Sequence, residues 1–599
     1  MEIKQKKRNE IPAEFKWKLE DLYATEADWR KDVELITKEA AAIAEFKGKL
    51  TTGEALLACT QKVFSVGEVV SRMYVYAIMK MHEDASISES QGLAGIAEST
   101  TVKFSAAMSF VTPEILNHDE ATIKSFITTT PGLELYEHYL NDVIRSKAHV
   151  LSAEIEEILA NASEMGSAAS NIFDMLDSAD LKFGTIEDAD GNNVEVTHGK
   201  YGSLMESPDR RVRKDVFETY YDSFLKLKNT IGAMFSQGVK KEMFFASTRK
   251  YNSTLDAALA DSNIPRAVYE GLIQAVHEFL PVMHRYIKLR KKALKVDELH
   301  MYDVYAPMVE EVDAKMTYQE AKKLLMEGLT PLGKDYLDAM GKGMESGWID
   351  VYENEGKQSG AYSWGAFGGH PYVLLNHEDT ISDMFTLAHE MGHAMHSYYS
   401  WETQPNVYSD YTIFLAEVAS TVNETLVLEH MLKTTDDAKM RTYLIGKYID
   451  QFRGTVFRQT MFAEFEMIVH GMAEKGEPLT VESVSKVYRG LTEKYFGPDM
   501  IVDEQIDFEW GRIPHFYRPF YVYQYATGYS AAVAFAKLLK NGGDKAREDY
   551  LGFLKAGSSD YSIEILKKAG VDMTTPTPVR EALKVFESLV VEMEKALDA

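Results

Sequence analysis

Apolar residues recur at intervals of three and four positions along most of the chain, a spacing that is typical of amphipathic helices. This spacing covers residues 26–48, 65–83, 150–179 and 208–245. It is clearest at the C-terminal end, where one apolar stripe follows two prolines of the kind that helix starts tolerate. The stripe consists of Val579, Leu583, Phe586, Val590, Met593 and Leu597. The pattern therefore predicts a mainly α-helical protein.

Two short regions have the features of β-structure instead. Residues 181–187 and 193–197 flank a polar, glycine-containing loop, which predicts a β-hairpin. Residues 348–376 combine short strand-like runs with closely spaced glycines, which predicts a small β-sheet. Helical spacing resumes on both sides of each region.

The domain organisation follows from these patterns. The 599 residues contain no internal repeat and no linker rich in Pro, Gly or Ser. A soft boundary follows the predicted hairpin. We therefore expect a helical N-terminal region over 1–200 that ends in the hairpin, and a second region over 201–599.

Charge and cysteine content narrow the possible functions. Acidic residues outnumber basic ones by 92 to 65, which gives a net charge of −27, so we expect no nucleic-acid partner. No apolar run is long enough to cross a bilayer and no signal segment is evident, so we expect a cytoplasmic protein without a membrane partner. The one cysteine, Cys59, lies in an apolar stretch and is expected in the core. A metal site would therefore have to use His, Asp and Glu side chains.

A metal-binding pattern follows the predicted sheet. His389, Glu390 and His393 form the sequence H-E-x-x-H within a helical segment. Positions four apart lie on one face of a helix, so the two imidazoles can reach the same ion. Glu390 lies about 100° round the helix, where its carboxylate can approach a water molecule rather than the ion. The pattern predicts a zinc site with Glu390 as the general base.

A catalytic zinc ion needs a third protein ligand. His396 lies on the same helix, but three ligands from so short a stretch would surround an ion poorly, so we assign it to the surroundings of the site. The better candidates lie at 413–430, where Glu417 sits among apolar and small residues. A carboxylate buried there is costly unless it is paired or bound to metal. Glu424, two helical turns later, is the alternative ligand, or else it orients a ligand histidine.

The segment at 515–529 is rich in aromatic side chains that form hydrogen bonds. It contains His515, Tyr517, Tyr521, Tyr523, Tyr525 and Tyr529. Phenol and imidazole donors can stabilise the oxyanion that forms during amide hydrolysis. We expect at least half of these rings to serve core packing instead.

Together these motifs resemble the M3 family of zinc metallopeptidases. The H-E-x-x-H motif is followed by Glu417, 24 residues after His393, and then by Glu424. Residues 360–376 and 512–528 are similar to segments of the oligoendopeptidase F branch of that family, and the chain resembles thimet oligopeptidase as well. The resemblance covers most of the chain and implies a large helical fold. It also implies a small sheet beside the motif helix, a deep substrate channel and a catalytic region over 201–599.

The resemblance also implies roles for individual residues. His389, His393 and Glu417 match the ligands of one zinc ion per chain, and Glu390 matches the general base. His515 and Tyr521 match groups that face the metal. For a further tyrosine, Tyr525 and Tyr529 compete because the segment carries one extra residue, and we favour Tyr529.

The strand-like segment at 361–376 has two interpretations. It is either ordinary sheet or an edge that pairs with an extended peptide substrate, and we favour the edge because zinc peptidases of this type place one beside the motif helix. The candidate substrate-binding residues are Tyr362, Gly368, Gly369, His370 and Asn376.

The function predicted from the sequence is therefore a zinc endopeptidase of peptide catabolism that hydrolyses short unfolded oligopeptides. Two alternatives remain open. One is a zinc exopeptidase (a carboxypeptidase) on a similar fold, and the other is a non-catalytic, peptide-binding helical protein. Metal content and the masses of cleavage products distinguish the three.

Overall fold

The computed structural model describes residues 5–309 and 315–598. Helices dominate these ranges, as the apolar spacing predicts, and the strands are two or three residues long. The described residues form two compact units, each assembled from three separate stretches of the chain. Within these ranges no helix combines the length and the apolar character that are needed to span a bilayer. The predicted regions 1–200 and 201–599 are instead continuous stretches of the chain, and that division stays a prediction.

The first unit contains residues 5–148, 315–430 and 535–570. An apolar core lies in its N-terminal stretch, where Trp29 and Cys59 are fully buried. Burial raises the pKa of the Cys59 thiol to about 11, which agrees with the predicted packing role. The helices of this unit are Glu26–Ala44, Gly53–Glu83, Ser88–Met108, Val111–Asn117, Glu120–Thr129, Glu137–Arg145, Tyr318–Gly328, Lys334–Glu345, Ile381–Thr403, Ile413–Thr434, Gly543–Leu554 and Ser562–Lys568.

The predicted sheet at 348–376 lies in the first unit. Its central strand, Tyr372–Leu374, is parallel to Ile349–Asp350 and antiparallel to Tyr362–Trp364. The central strand is completely buried, whereas Tyr362–Trp364 is half-buried at the edge. Both Tyr372–Leu374 and Tyr362–Trp364 contact the helix Ile381–Thr403. In the described part of the chain, the outer edge of Tyr362–Trp364 pairs with no further strand.

The helix Ile381–Thr403 carries the H-E-x-x-H sequence and is called the motif helix below. It begins with a capping box, because the Thr380 hydroxyl accepts the amide hydrogen of Asp383 at 3.1 Å and the Asp383 carboxylate accepts that of Thr380 at 3.0 Å. Helix Ile413–Thr434, called the glutamate helix, carries Glu417 and Glu424.

The second unit contains residues 149–309, 431–534 and 571–598. A π-helical segment, Phe452–Phe457, continues Ala438–Gln451 directly into Arg458–Glu474. The other helices are Ala153–Gly166, Ala168–Met175, His198–Met205, Arg210–Leu225, Lys228–Thr248, Thr254–Ala260, Arg266–Glu278, Leu280–Ala293, Val481–Phe496 and Thr577–Asp598, together with Tyr523–Asn541, which continues into the first unit.

Two predictions concern the second unit and both are confirmed. The hairpin forms from Thr185–Glu187 and Asn193–Glu195, with Glu187 opposite Asn193. The C-terminal stripe belongs to the helix Thr577–Asp598, and its members from Val579 to Met593 are buried. A short parallel pair, Leu299–His300 with Met500–Ile501, is an additional element.

Candidate metal and catalytic site

The motif helix and the glutamate helix approach each other closely at Gly392. A Cβ atom placed on Gly392 would lie 2.5 Å from the Cα of Ser420 and 2.8 Å from the carbonyl oxygen of Ala419. The side-chain amide of Asn423 adds a bond between the helices by donating to the carbonyl oxygen of Ala388 at 3.2 Å. This approach brings the side chains of the two helices within reach of each other.

Three potential ligand atoms converge where the helices meet. Nε2 of His389 and Nε2 of His393 are 3.2 Å apart. Oε2 of Glu417 lies 3.4 Å from the His389 nitrogen and 3.7 Å from the His393 nitrogen. Among the His, Cys, Asp and Glu side chains of the described residues, these three form the group that could hold a metal ion. The structure thus brings together the two histidines and Glu417, one of the two glutamates that the sequence left open.

Each histidine is oriented by a hydrogen bond to a residue of the glutamate helix. Nδ1–H of His389 donates to Oε1 of Glu424 at 2.7 Å. His393 receives its orientation from a hydrogen bond with the backbone of Ala416. In the neutral form of His389, a proton on Nδ1 leaves Nε2, the nitrogen nearer Glu417, free to bind a metal ion. Glu424 therefore lies in the position that the sequence offered as its second role, beside a histidine rather than in the cluster.

The charges around the cluster favour a positive charge at His389. Burial opposes the charged imidazole, but the hydrogen bond and the charge of Glu424, with the charges of Glu390 and Glu417, raise the pKa of His389 to about 9. For His393, burial and then the charge of His389 lower the pKa to about 3. One positive charge is thus favoured in this cluster and a second is not.

Glu390 is buried beside the cluster and is 6% exposed. Its Oε2 has no hydrogen-bond partner in the ranges that the structure describes. Burial first, and then the charges of Glu417 and Glu424, raise the pKa of Glu390 to about 7, against the lowering effects of His389 and of the Ser363 backbone. A carboxyl group with a pKa near neutrality can both accept and release a proton.

His396 lies apart from the cluster. Its ring stacks on Tyr411 with a centroid distance of 3.6 Å and is fully buried. Burial, and then the charge of His393, lower the pKa of His396 to about 3. The Tyr411 hydroxyl lies 3.4 Å from the carbonyl oxygen of His393, so Tyr411 contacts both His396 and the backbone of the motif.

Two of the candidate substrate-binding residues make contacts within the protein. The Tyr362 hydroxyl lies 2.7 Å from Nδ1 of His82. The His370 ring stacks on Trp348 at a centroid distance of 5.3 Å, and its Nε2 is 3.3 Å from Asp21. These contacts fix both side chains near the sheet, and their role towards substrate stays a prediction.

The other three candidates shape the loops beside the edge strand. The side-chain amide of Asn376 donates to the carbonyl oxygen of Gly360 at 2.8 Å. Gly368 has a positive φ of 82°, a conformation that favours glycine, and the amide of Gly369 donates to the carbonyl oxygen of Ala366 at 3.1 Å. We therefore place Asn376, Gly368 and Gly369 as residues that hold the edge strand, and their substrate contacts stay predictions.

The aromatic segment lies in the second unit and contains a cluster of three rings. The centroid of His515 is 6.2 Å from that of Tyr521 and 6.1 Å from that of Tyr525. The two tyrosine rings are 5.4 Å apart, edge to face. Tyr529 lies elsewhere, with its hydroxyl 3.4 Å from the Gln451 side chain and its ring against Phe452. The structure thus groups Tyr525, rather than Tyr529, with His515 and Tyr521.

Sequence reasoning missed several contributors to this arrangement. Gly392 and Asn423 hold the two helices together, and Tyr411 supports His396. Asn423 had a signal, because it is a polar residue directly before Glu424 in an apolar stretch. For Gly392 the sequence contains no such signal beyond its position inside the H-E-x-x-H motif.

Comparison with known proteins agrees with these features. A model of peptidase family M3 matches residues 203–585, and a model of oligopeptidase F matches residues 114–183. Oligopeptidase PepF of Bacillus subtilis is 44% identical over 98% of this chain and 88% of its own length. Group B oligopeptidase PepB of Streptococcus agalactiae is 41% identical over 98% of both chains.

Solved structures give the same result. Oligoendopeptidase-F from Enterococcus faecium is 39% identical and superposes with a TM-score of 0.75 over 96% of this chain and 99% of its own. A protein from Chlamydophila abortus is 36% identical and superposes with a TM-score of 0.94 over 99% of this chain and 100% of its own. The mainly helical fold is therefore that of these proteins, and the chain belongs to peptidase family M3 and is a metalloendopeptidase.

Proposed function

We propose that this metalloendopeptidase depends on one zinc ion per chain and hydrolyses short unfolded oligopeptides. The observation that carries the proposal is the convergence of Nε2 of His389, Nε2 of His393 and Oε2 of Glu417. Atoms bound about 2.1 Å from one tetrahedral ion lie roughly 3.4 Å apart, and the separations here are 3.2, 3.4 and 3.7 Å. Two neutral imidazoles and a carboxylate are a donor set that zinc prefers.

When bound, zinc supplies Lewis-acid chemistry, because it acidifies water and polarises a carbonyl group. Glu390 performs the proton transfers. Its unpartnered Oε2 takes a proton from the attacking water and delivers it to the leaving amine. The burial that raises the pKa of Glu390 disfavours its charged form, and this favours the uptake of a proton from water.

We assign the stabilisation of the oxyanion to His515, Tyr521 and Tyr525. Their rings form one cluster, so their donors can serve a single oxygen atom. Tyr525 replaces Tyr529 in this proposal because Tyr529 packs against Phe452.

The edge strand Tyr362–Trp364 supports the assignment of a peptide substrate. Its outer edge can pair with any extended backbone, and the Ser363 backbone on this strand interacts with Glu390. The names of the relatives, oligopeptidase and oligoendopeptidase F, support oligopeptides as the substrate class. A cytoplasmic location stays a prediction.

Glu390→Gln tests the mechanism, with Glu378→Gln as the control because Glu378 is exposed just before the motif helix. We expect Glu390→Gln to retain about one zinc ion per chain and to hydrolyse an internally quenched oligopeptide about 100 to 10,000 times more slowly. Glu378→Gln should match the parent protein, and product masses should show internal cleavage. Undiminished hydrolysis by zinc-loaded Glu390→Gln, or hydrolysis that persists after the zinc has been removed, would overturn the proposal.

A further inference from the structure

A pocket of about 500 Å³ lies within the second unit. It is formed by residues between Glu242 and Ser262 and by the segment from Arg518 to Gln524. We propose that this pocket is a substrate subsite in which Arg518 binds a carboxylate group of the peptide. The volume of the pocket is within the range of about 300–1,000 Å³ that is usual for ligand pockets. The inference rests on the proposed function.

Tyr521 connects the pocket to the aromatic cluster. It lines the pocket, and its ring is also 5.4 Å from that of Tyr525. A ligand in the pocket can therefore contact Tyr521, to which we assign stabilisation of the oxyanion. The connection depends only on residues of the second unit.

The pocket offers an apolar surface and a polar rim. Phe520, which is 3% exposed, lines the pocket together with two small side chains, Ala257 and Ala258. Gln524 is half-buried at the rim. A peptide residue with an apolar side chain can pack on this surface while its polar ends reach the rim.

Arg518 is the charged group at the rim that is available to a ligand. Arg249 is held by two hydrogen bonds of 2.8 Å to Glu156, and Glu242 pairs with Lys241 at 2.6 Å. Asp261, the other carboxylate at the rim, also interacts within the protein. In the part of the chain that the structure describes, no ion pair involves Arg518, which is exposed.

The backbone fixes where the Arg518 side chain starts. The Arg518 amide donates to the carbonyl oxygen of His515 at 2.8 Å, and Pro519 restricts the chain immediately after it. Burial, and then the positive charge of Arg518, lower the pKa of His515, so the guanidinium acts on the aromatic cluster through space. A guanidinium recognises a carboxylate through paired hydrogen bonds, which gives the subsite its chemical class.

A substrate can supply the carboxylate from its C-terminus or from an Asp or Glu side chain. Three peptides that differ only in their carboxylate groups separate these sources. The first has a free C-terminal acid, the second is the same peptide as a C-terminal amide (the plain amide), and the third is that amide with Glu in place of one Gln. Their dissociation constants are measured by fluorescence anisotropy with zinc-loaded Glu390→Gln, which should bind without cleaving. Glu390→Gln with Arg518→Ala is compared with it, and Glu390→Gln with Arg285→Ala is the control because Arg285 pairs with Glu594 elsewhere in this unit.

We expect at least one carboxylate-bearing peptide to bind about tenfold more tightly than the plain amide, and Arg518→Ala to abolish that difference. Preference for the free acid identifies the C-terminus, and preference for the Glu-containing amide identifies the side chain. The Arg285→Ala control should keep the difference. Equal affinities for all three peptides, or a difference that survives Arg518→Ala, would overturn the subsite alone. Cleavage of the peptides by Glu390→Gln would instead contradict the proposed function.

Discussion

Glu424 accepts a hydrogen bond of 2.7 Å from Nδ1 of His389. In the neutral imidazole the bond places the proton on Nδ1, on the side away from Glu417, so that Nε2 is the nitrogen left to bind a metal ion. It also adds negative charge beside the site, which is one reason why the pKa of His389 is raised to about 9. Glu424 therefore prepares His389 to bind a cation.

Replacing Glu424 should weaken zinc binding. We expect Glu424→Ala to lower zinc affinity by about 10- to 100-fold, because the imidazole loses both its orientation and its neighbouring charge. Competition with a chromophoric chelator measures the affinity. Glu429→Gln is the control on the same helix, since Glu429 pairs with Lys540 rather than with the cluster. Unchanged zinc affinity in Glu424→Ala would refute this role.

Gly392→Ala should disturb the meeting of the two helices. The added methyl group would lie 2.5 Å from the Cα of Ser420, so one helix must shift and Glu417 must move relative to the histidines. We expect a loss of stability of about 1–3 kcal/mol, measured by urea unfolding, together with weaker zinc binding.

Gly95→Ala is the matched control for this change. Gly95 also lies inside a helix of the first unit, but an added Cβ would meet no atom within 4 Å. Because alanine favours helices, stability should stay the same or rise by up to about 1 kcal/mol. If Gly392→Ala behaved like Gly95→Ala, the close approach would not constrain the site.

The two competing tyrosines can be separated by removing single hydroxyl groups. We expect Tyr525→Phe to lower kcat by about 100- to 1,000-fold, the usual effect of losing an oxyanion donor. Tyr529→Phe should have a much smaller effect, because its hydroxyl lies 3.4 Å from the Gln451 side chain. Steady-state kinetics on one quenched peptide measures both variants. A larger loss in Tyr529→Phe would favour the assignment made from the sequence.

Much of the fold and the candidate ligands of the cluster could be predicted from local rules. Helical spacing predicts the helical content, and positions four apart place His389 and His393 together. Glu417 stood out because a carboxylate in an apolar stretch needs a partner. Each of these rules uses the sequence of a single helix and no information about its neighbours.

The remaining features depend on how distant parts of the chain meet. The contact of Gly392 with Ser420 is a property of two helices, so spacing within one helix does not reveal it. The position of Tyr525 depends on the turn before the helix Tyr523–Asn541, where Phe520 adopts a positive φ of 58°. A non-glycine residue in that conformation has no clear sequence signal.

That turn is held by a buried carboxyl group that should make stability depend on pH. Glu466 is 2% exposed, and its Oε1 accepts the amide hydrogen of Phe520 at 2.8 Å. Burial raises the pKa of Glu466 to about 8, against about 4.3 in an unfolded chain. Between these two values the folded protein holds a proton that the unfolded chain has released. The free energy of unfolding therefore falls as pH rises from about 4.3 to 8, by at most roughly 1.4 kcal/mol per pH unit from this group.

Glu466→Gln should remove this contribution, because an amide can still accept the Phe520 hydrogen but does not ionise. Urea unfolding at pH 5 and at pH 8 measures the effect on the parent protein, on Glu466→Gln and on Glu482→Gln, whose side chain is exposed. We expect the gain in stability of Glu466→Gln over the parent protein to be larger at pH 8 than at pH 5, whereas Glu482→Gln follows the parent protein at both. An equal difference at the two pH values would mean that Glu466 is already ionised in the folded protein, and that the turn before Tyr521 is held by a charged rather than a neutral carboxyl group.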